Sequence, residues 1–257
     1  MSLYDGYKLV YLPDIHADTK PTEHGWSPIL SNAAKACFNF CDYFKPDETV
    51  IGGDFIDFPE LATQDPWNKI SREGKRLIHD LTFGNQLLDK IDKFTKGKKV
   101  FMIGNHDARL AKYIAEHPEL EGMVSLKHSL RLKERGYEVI EENRAYKVGH
   151  ARYLHGWYFN LHHSKKTVTE MWDNVFYGHT HDVQAFTKIN YEQMPIIGHS
   201  MGTLGDLDPE WRRGRPSRWV NAFGIFYFFK NGNFTFYNPI IINGKFIWEG
   251  KIFEGGK

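Results

Sequence analysis

The sequence predicts an α/β protein in which a mainly parallel sheet is covered by helices. Apolar runs at residues 8–13, 49–52 and 99–103 read as strands, and stretches of helical spacing at 31–44 and 70–94 lie between them, giving βαβαβ alternation. Each strand-like run stops at a short polar fragment, which is where open α/β sheets gather ligands. The second half carries two Asn-Gly turns among aromatic runs, the strongest short signal for hairpins.

The elements follow in order. Residues 8–13 lead into Asp14. In 31–44 the residues Ala33, Ala36, Cys37, Phe40, Cys41 and Phe44 recur three and four apart, as one face of a helix requires. Residues 49–52 lead into Asp54. Ile70, Leu77, Ile78, Leu81, Leu87, Leu88, Ile91 and Phe94 predict a long amphipathic helix with Gly84 as its weak point. Residues 99–103 lead into Asn105. Residues 110–135 read as one or two helices, and 137–140, 145–148 and 152–154 as strands. A short helix at 165–172 precedes a strand at 175–177. Strands at 223–229, 234–237 and 246–248 flank the turns Asn231-Gly232 and Asn243-Gly244. No linker, low-complexity stretch or internal repeat interrupts the chain, so residues 1–257 are read as one domain.

With 257 residues and 41% hydrophobic content the chain can bury a large core. A net charge of +1 provides no global basic field for unspecific nucleic-acid binding. Cys37 and Cys41, the only cysteines, share a helix face and read as core thiols of a reducing compartment. The first residues do not resemble a signal peptide, and the most apolar stretch, 223–229, is too short to span a bilayer. A soluble, cytoplasmic protein without a membrane partner is expected; the pattern does not specify an oligomeric state.

Five fragments carry the chemistry: Asp14-Ile15-His16, Gly53-Asp54, Gly104-Asn105-His106-Asp107, His155-Gly156 and Gly178-His179-Thr180-His181. Together they offer two Asp, one Asn and four His as candidate ligands, with one His to spare. Any one of them alone would be an ordinary turn. Five after strands form the inventory for two metal ions that share a carboxylate, and the main use of such a centre is attack by water on phosphorus.

The order D-x-H, G-D, G-N-H-[D/E], H, G-H-x-H resembles that of the calcineurin-like metallophosphoesterases and spans about two-thirds of the chain, from Asp14 to His181. The resemblance implies a four-layer αββα sandwich of two mixed sheets, with the hairpin-rich second half supplying the second sheet. It implies Asp14, His16 and His181 on one metal, Asn105, His155 and His179 on the other, and Asp54 as the bridge. Imidazole and oxygen donors without thiolate suit manganese first, with iron, zinc, cobalt or nickel compatible. His155 is preferred to its neighbours His150, His162 and His163 because it ends a strand.

The resemblance makes His106 the acid that protonates the leaving alkoxide, and Asp57, three residues after Asp54, the carboxylate that orients it. Asp107 supports the site from behind. The arginine that follows this carboxylate in protein phosphatases is Phe58 here, so one phosphate clamp is missing; Arg109 is the candidate replacement. Ala17 stands where the family has glycine. Asp18 and His24 fall in a predicted loop near the pocket, and Trp26, Trp67 and Trp157 are candidate rim aromatics with burial as the ordinary alternative.

Two other segments compete for a role. Residues 211–219 read W-R-R-G-R-P-S-R-W, four arginines between two tryptophans, either a nucleic-acid clamp or an anchored surface loop. Gly198-His199-Ser200-Met201-Gly202 matches the G-x-S-x-G elbow of serine esterases. No histidine follows His199, so the triad order fails, and the segment is read as a loop closing the site, with His199 near substrate. The expectation is a phosphoesterase acting on a small-molecule or nucleic-acid phosphoester. A nuclease using 211–219 is the alternative, and a metal-loaded binding scaffold is the non-enzymatic one.

Overall fold

The structure is a computed structural model describing residues 3–62, 72–190 and 193–256. It is an α/β sandwich containing two mixed sheets. The six-stranded sheet has the order β13-β12-β1-β4-β5-β6, where β1 is Tyr7–Leu12, β4 Glu48–Ile51, β5 Lys98–Met102, β6 Tyr137–Ile140, β12 Gly224–Phe228 and β13 Phe234–Tyr237. Strands β1, β4, β5 and β6 are parallel, and the hairpin β12–β13 adds antiparallel to β1. The five-stranded sheet has the order β10-β11-β9-β8-β7, with β7 Tyr146–Val148, β8 Ala151–Leu154, β9 Asn174–Tyr177, β10 Ala185–Asn190 and β11 Gln193–Ser200. Its central strands β8, β9 and β11 are parallel.

Strand periodicity sorts the side chains into two cores. Tyr7, Leu9, Tyr11, Val50, Val100 and Met102 face the five-stranded sheet and pack with Tyr153, Phe176 and Tyr177. The alternate residues Val10, Leu12, Ile51 and Phe101 face α1 (Asn32–Phe44) and α2 (Leu77–Phe94). Burial on both faces explains why these strands read as continuous apolar runs. On the outer side of the five-stranded sheet, α5 (His163–Met171) packs against β9, β10 and β11. Helix α1 starts at an N-cap, the Ser31 hydroxyl accepting from the Ala34 amide at 2.9 Å, and ends with Lys45 in the left-handed region before Pro46. Cys37 and Cys41 are buried in it as free thiols.

Several expected elements shift. Helix α2 begins at Leu77; Gly74, at φ +77°, lies in a turn ahead of it, and Ile70 and Trp67 lie outside the described residues. Gly84 does not interrupt the helix. It lets α2 approach Ile56, whose side chain a Cβ would strike. The 110–135 segment divides into α3 (Arg109–Glu116) and the single turn α4 (Leu126–Ser129), with Pro118 and Gly122 between them. The predicted loop containing Asp18 and His24 is a hairpin of β2 (Asp18–Thr22) and β3 (Gly25–Ile29). Asn231-Gly232 turns the β12–β13 hairpin as expected, but that hairpin extends the first sheet, not the second. Asn243-Gly244 makes a tight turn ahead of β14 (Lys245–Trp248), whose partner is β15 (Lys251–Glu254), a strand the sequence pattern did not reveal. Trp26 stacks on His79 at 5.5 Å and is not a rim aromatic. No helix among the described residues is long and apolar enough to cross a membrane.

Glu60, half-buried, and Asp80 of α2, buried, form an acid pair. Both carboxyl oxygens of Glu60 and one of Asp80 lack a hydrogen-bond partner among the described residues, while nearby Asp18 is paired with Lys75 at 2.6 Å. Burial, then the charge of Asp80, pushes Glu60 up to about 8; burial, then Asp18, pushes Asp80 up to about 6. A carboxyl that holds its proton more tightly folded than unfolded destabilises the fold as pH rises from its ordinary value to its folded one. Glu60→Gln should therefore stabilise the fold at pH 8 by on the order of 1 kcal/mol, seen as a higher thermal midpoint, and give no gain at pH 4.5. An equal effect at both pH values in thermal melts would refute the buried, protonated acid.

Candidate metal centre

The loops after β1, β4, β5, β8 and β9 converge where the carboxyl ends of the two sheets meet. The first sheet delivers Asp14, His16, Asp54 and Asn105; the second delivers His155, His179 and His181. Five of these seven have left-handed backbone: Asp14 (φ 44°), His16 (47°), Asp54 (48°), His179 (64°) and His181 (59°). Aspartate and histidine are among the non-glycine types that enter this region more readily, yet each such position costs about 1–3 kcal/mol and persists only where surroundings enforce it. The glycines in the motifs permit the crowding. A Cβ on Gly178 would overlap the Asp14 carboxylate, and one on Gly104 would overlap the Asp54 amide and carboxylate.

Two donor sets result, and Asp54 belongs to both. Asp14, His16, Asp54 and His181 offer one ligand atom each within a single small volume, and Asp54, His155 and His179 do the same. His181 Nε2 lies 3.3 Å from Asp14 Oδ1 and 3.1 Å from His16 Nε2. On the other side Asn105 Oδ1 is 2.9 Å from both His155 Nε2 and His179 Nδ1, and Asp54 Oδ2 is 3.3 Å from His155 Nε2. These buried Asp/His clusters are able to hold metal. Facing imidazole nitrogens and clustered oxygens are the arrangement expected of donors around a cation, and the set contains no sulfur. Two of the remaining ring nitrogens are fixed by neighbours. His155 Nδ1 meets the Gly52 carbonyl at 3.0 Å and His16 Nδ1 meets Asp57 at 3.0 Å, while buried His181 Nδ1 has no partner among the described residues.

Asp57 does more than the sequence reading asked of it. Its Oδ1 lies 2.8 Å from His106 Nδ1 as well as 3.0 Å from His16 Nδ1, so one carboxylate orients both rings. The His106 amide donates to Asp54 Oδ1 at 2.7 Å, and His106 Nε2 lies 3.9 Å from Asp54 Oδ2. Arg109 donates to the Asp57 carbonyl at 2.6 Å and points Nη2 at His106 Nε2, 3.1 Å away. Buried Asp107 accepts from the amides of Phe55, Ile56 and Gly104 at 3.0–3.2 Å and thereby clamps the Asp54 loop to the Asn105 loop.

Carboxylates and imidazoles in the cluster shift one another. Burial opposes ionisation of Asp54, but His155, His106 and His16 override it and hold the carboxyl well below its usual range. Burial disfavours a charged His155; Asp54 reverses this and raises the ring to about 10. Asp57 is likewise held low against burial by its bonds to His106 and His16. Burial, then the Asp54 charge, lifts Asp107 to about 7.

The structure brings together all seven sequence-predicted ligands, with His106, Asp57 and Arg109 at their edge. The rival histidines fall elsewhere: His150 and His162 are exposed, and His163 is buried between the Tyr177 hydroxyl and Asp182. Asp182 itself was overlooked. It accepts from Thr180 and Ser200 and props the turn carrying His179 and His181; its place directly after His181 was the available signal. The Ser200 hydroxyl is fully buried, donates to Asp182 and accepts from the Gln184 amide, so it cannot meet an ester. His199 does not face the site as expected. It is buried against Phe176 and Phe236, because strand alternation in β11 turns it into the layer between the sheets.

Two cavities flank the cluster and both border His179. One, of about 430 Å³, extends past Asn105 and His155 to Trp157 and Tyr158. The other, of about 400 Å³, extends past Thr180 to Trp211, Arg215, Arg218 and Trp219. No protein-family model matches the chain, and no curated protein matches it closely enough to count as a relative.

The Asp107 clamp is testable by denaturant unfolding. Asp107→Ala strands buried N–H groups and should lower stability by on the order of 3 kcal/mol, with Asp107→Asn, which keeps an acceptor oxygen, losing less. An unchanged midpoint for Asp107→Ala would show that the clamp carries no load.

Proposed function

We propose that the protein is a metal-dependent phosphoesterase that hydrolyses phosphomonoesters or phosphodiesters with two divalent cations, manganese being the first choice. The observation that supports this most is the sharing of Asp54 between two donor sets, Asp14, His16 and His181 on one side and Asn105, His155 and His179 on the other. The order of packing, helices α1 and α2, six-stranded sheet, five-stranded sheet, α5, is consistent with the four-layer αββα sandwich of the calcineurin-like metallophosphoesterases. When bound, the cations would supply Lewis acidity, activating water and neutralising charge on the phosphoryl oxygens.

The protein's own residues account for the rest. Asp57 holds His106 through Nδ1, which turns Nε2 toward Asp54 and the space in front of it. A proton on Nε2 would pass to the leaving oxygen as the ester bond breaks. Arg109 offers a guanidinium beside the same nitrogen, in reach of a phosphoryl oxygen bound there. The binding-scaffold alternative has no use for this His106, Asp57 and Arg109 grouping.

Asp54→Ala should abolish hydrolysis of every ester in a panel of monoesters and diesters assayed with several divalent metals. Full activity of the metal-loaded variant would refute the proposal. His106→Ala should retain bound metal, measured by elemental analysis, and lose about 10²–10⁴-fold on alkyl esters while losing far less on activated aryl esters. Equal losses on both would remove His106 from the acid role.

A further inference from the structure

We infer that residues 211–219 and the two cavities beside the cluster form a binding site for a single-stranded polynucleotide, with the phosphodiester to be cleaved lying between the cavities. This rests on the phosphoesterase reading for its catalytic consequence and on the following geometry for the binding itself.

The segment is pinned to the cluster. Arg212 is buried, donates to the carbonyls of Leu207 and Arg215, and lies over the Trp219 ring at 4.6 Å. Trp219 in turn packs edge-on against His181, with ring centroids 4.4 Å apart. One of the four arginines is thus spent on holding the loop in place. The other three, Arg213, Arg215 and Arg218, are exposed and have no ion-pair partner among the described residues. Trp211, 57% exposed, stands beside them. Unpaired guanidiniums next to an exposed indole suit alternating phosphates and bases, the guanidiniums binding phosphate and the indole stacking a base.

A monoester has one organic substituent and needs one cavity. A diester has two, and here a second cavity opens on the far side of His179, lined by Trp157 and Tyr158. Each cavity has the volume of a small-ligand site. Stacking on Trp211 or Trp157 requires an unpaired base, which favours a single strand over a duplex. The chain's net charge of only +1 makes the arginine cluster a local contact, with no basic field to hold a duplex along its length. Hydrolysis there adds one water across one P–O ester bond and leaves a phosphomonoester end and a hydroxyl end.

The test is binding of a fluorescent twelve-nucleotide single strand, DNA and RNA in parallel, to the metal-free full chain in chelator, followed by anisotropy over a salt series. Neutralising each phosphate contributes about 0.7 to the slope of log affinity against log salt. Arg215→Ala/Arg218→Ala should lower that slope by about 1.4 and weaken binding at every salt concentration. Trp211→Ala should weaken binding with the slope unchanged. Lys90→Ala/Lys93→Ala removes the same charge from the exposed face of α2 and should alter neither. An unchanged slope in the arginine variant, an equal change in the lysine variant, tighter binding of a duplex, or no binding by the parent chain would each overturn the inference. Because no metal or turnover enters this measurement, its failure is distinct from a failure of hydrolysis in the metal-loaded protein.

Discussion

The Tyr11 hydroxyl donates to the Leu154 carbonyl at 2.9 Å, and the Tyr11 ring stacks on Tyr153. Tyr11 belongs to the first sheet and Leu154 to the second, and each stands just ahead of a ligand-bearing loop. Deeper in the same interface, buried Glu48 accepts from Tyr7 and Tyr146, and Phe176 packs against Phe226, Phe234 and Phe236. Neither sheet owns a complete donor set. Asp14, His16 and Asp54 must meet His181 across the interface, and Asn105 must meet His155 and His179. The relative position of two separately hydrogen-bonded sheets therefore sets the distances across the cluster, and the aromatic layer between them fixes that position.

The loops concentrate the cost of this arrangement. Left-handed backbone at five candidate ligand residues is local strain that the sheets, the Asp107 clamp and the Asp14 contact to the His179 amide hold in place. Such strain suits preorganisation, since side chains that cannot relax away keep like-charged or lone-pair-bearing atoms face to face.

Much of this was legible in the sequence, for a physical reason. Candidate ligand residues follow apolar strands directly, so a reader who finds the strands also finds the fragments, and Asp14, Asp54, Asn105, His155, His179 and His181 each lie within four residues of a strand end. The hairpin β2–β3 escaped because Pro21, Gly25 and Pro28 break the alternation that marks a strand. The partner of β14 escaped because the Asn243-Gly244 signal gives a turn without saying which strands flank it. His199 was misplaced because a motif match says nothing about which face of a strand a residue occupies. The second role of Asp57, the prop at Asp182 and the seat of Trp219 on His181 are contacts between distant loops, and no local pattern encodes them.

The pairing of β12 with β1 also sets an order of events in time. Strand β1 is made first, yet its antiparallel neighbour lies more than two hundred residues later, at Gly224–Phe228. Until that stretch emerges during synthesis, one side of β1 is an open edge and the aromatic interlayer lacks Phe226 and Phe228. Long-range closure of this kind is slow. An Asp/His cluster drawn from both sheets is thus a late product of the folding chain, and the interval before it closes is when the nascent protein is most exposed to aggregation.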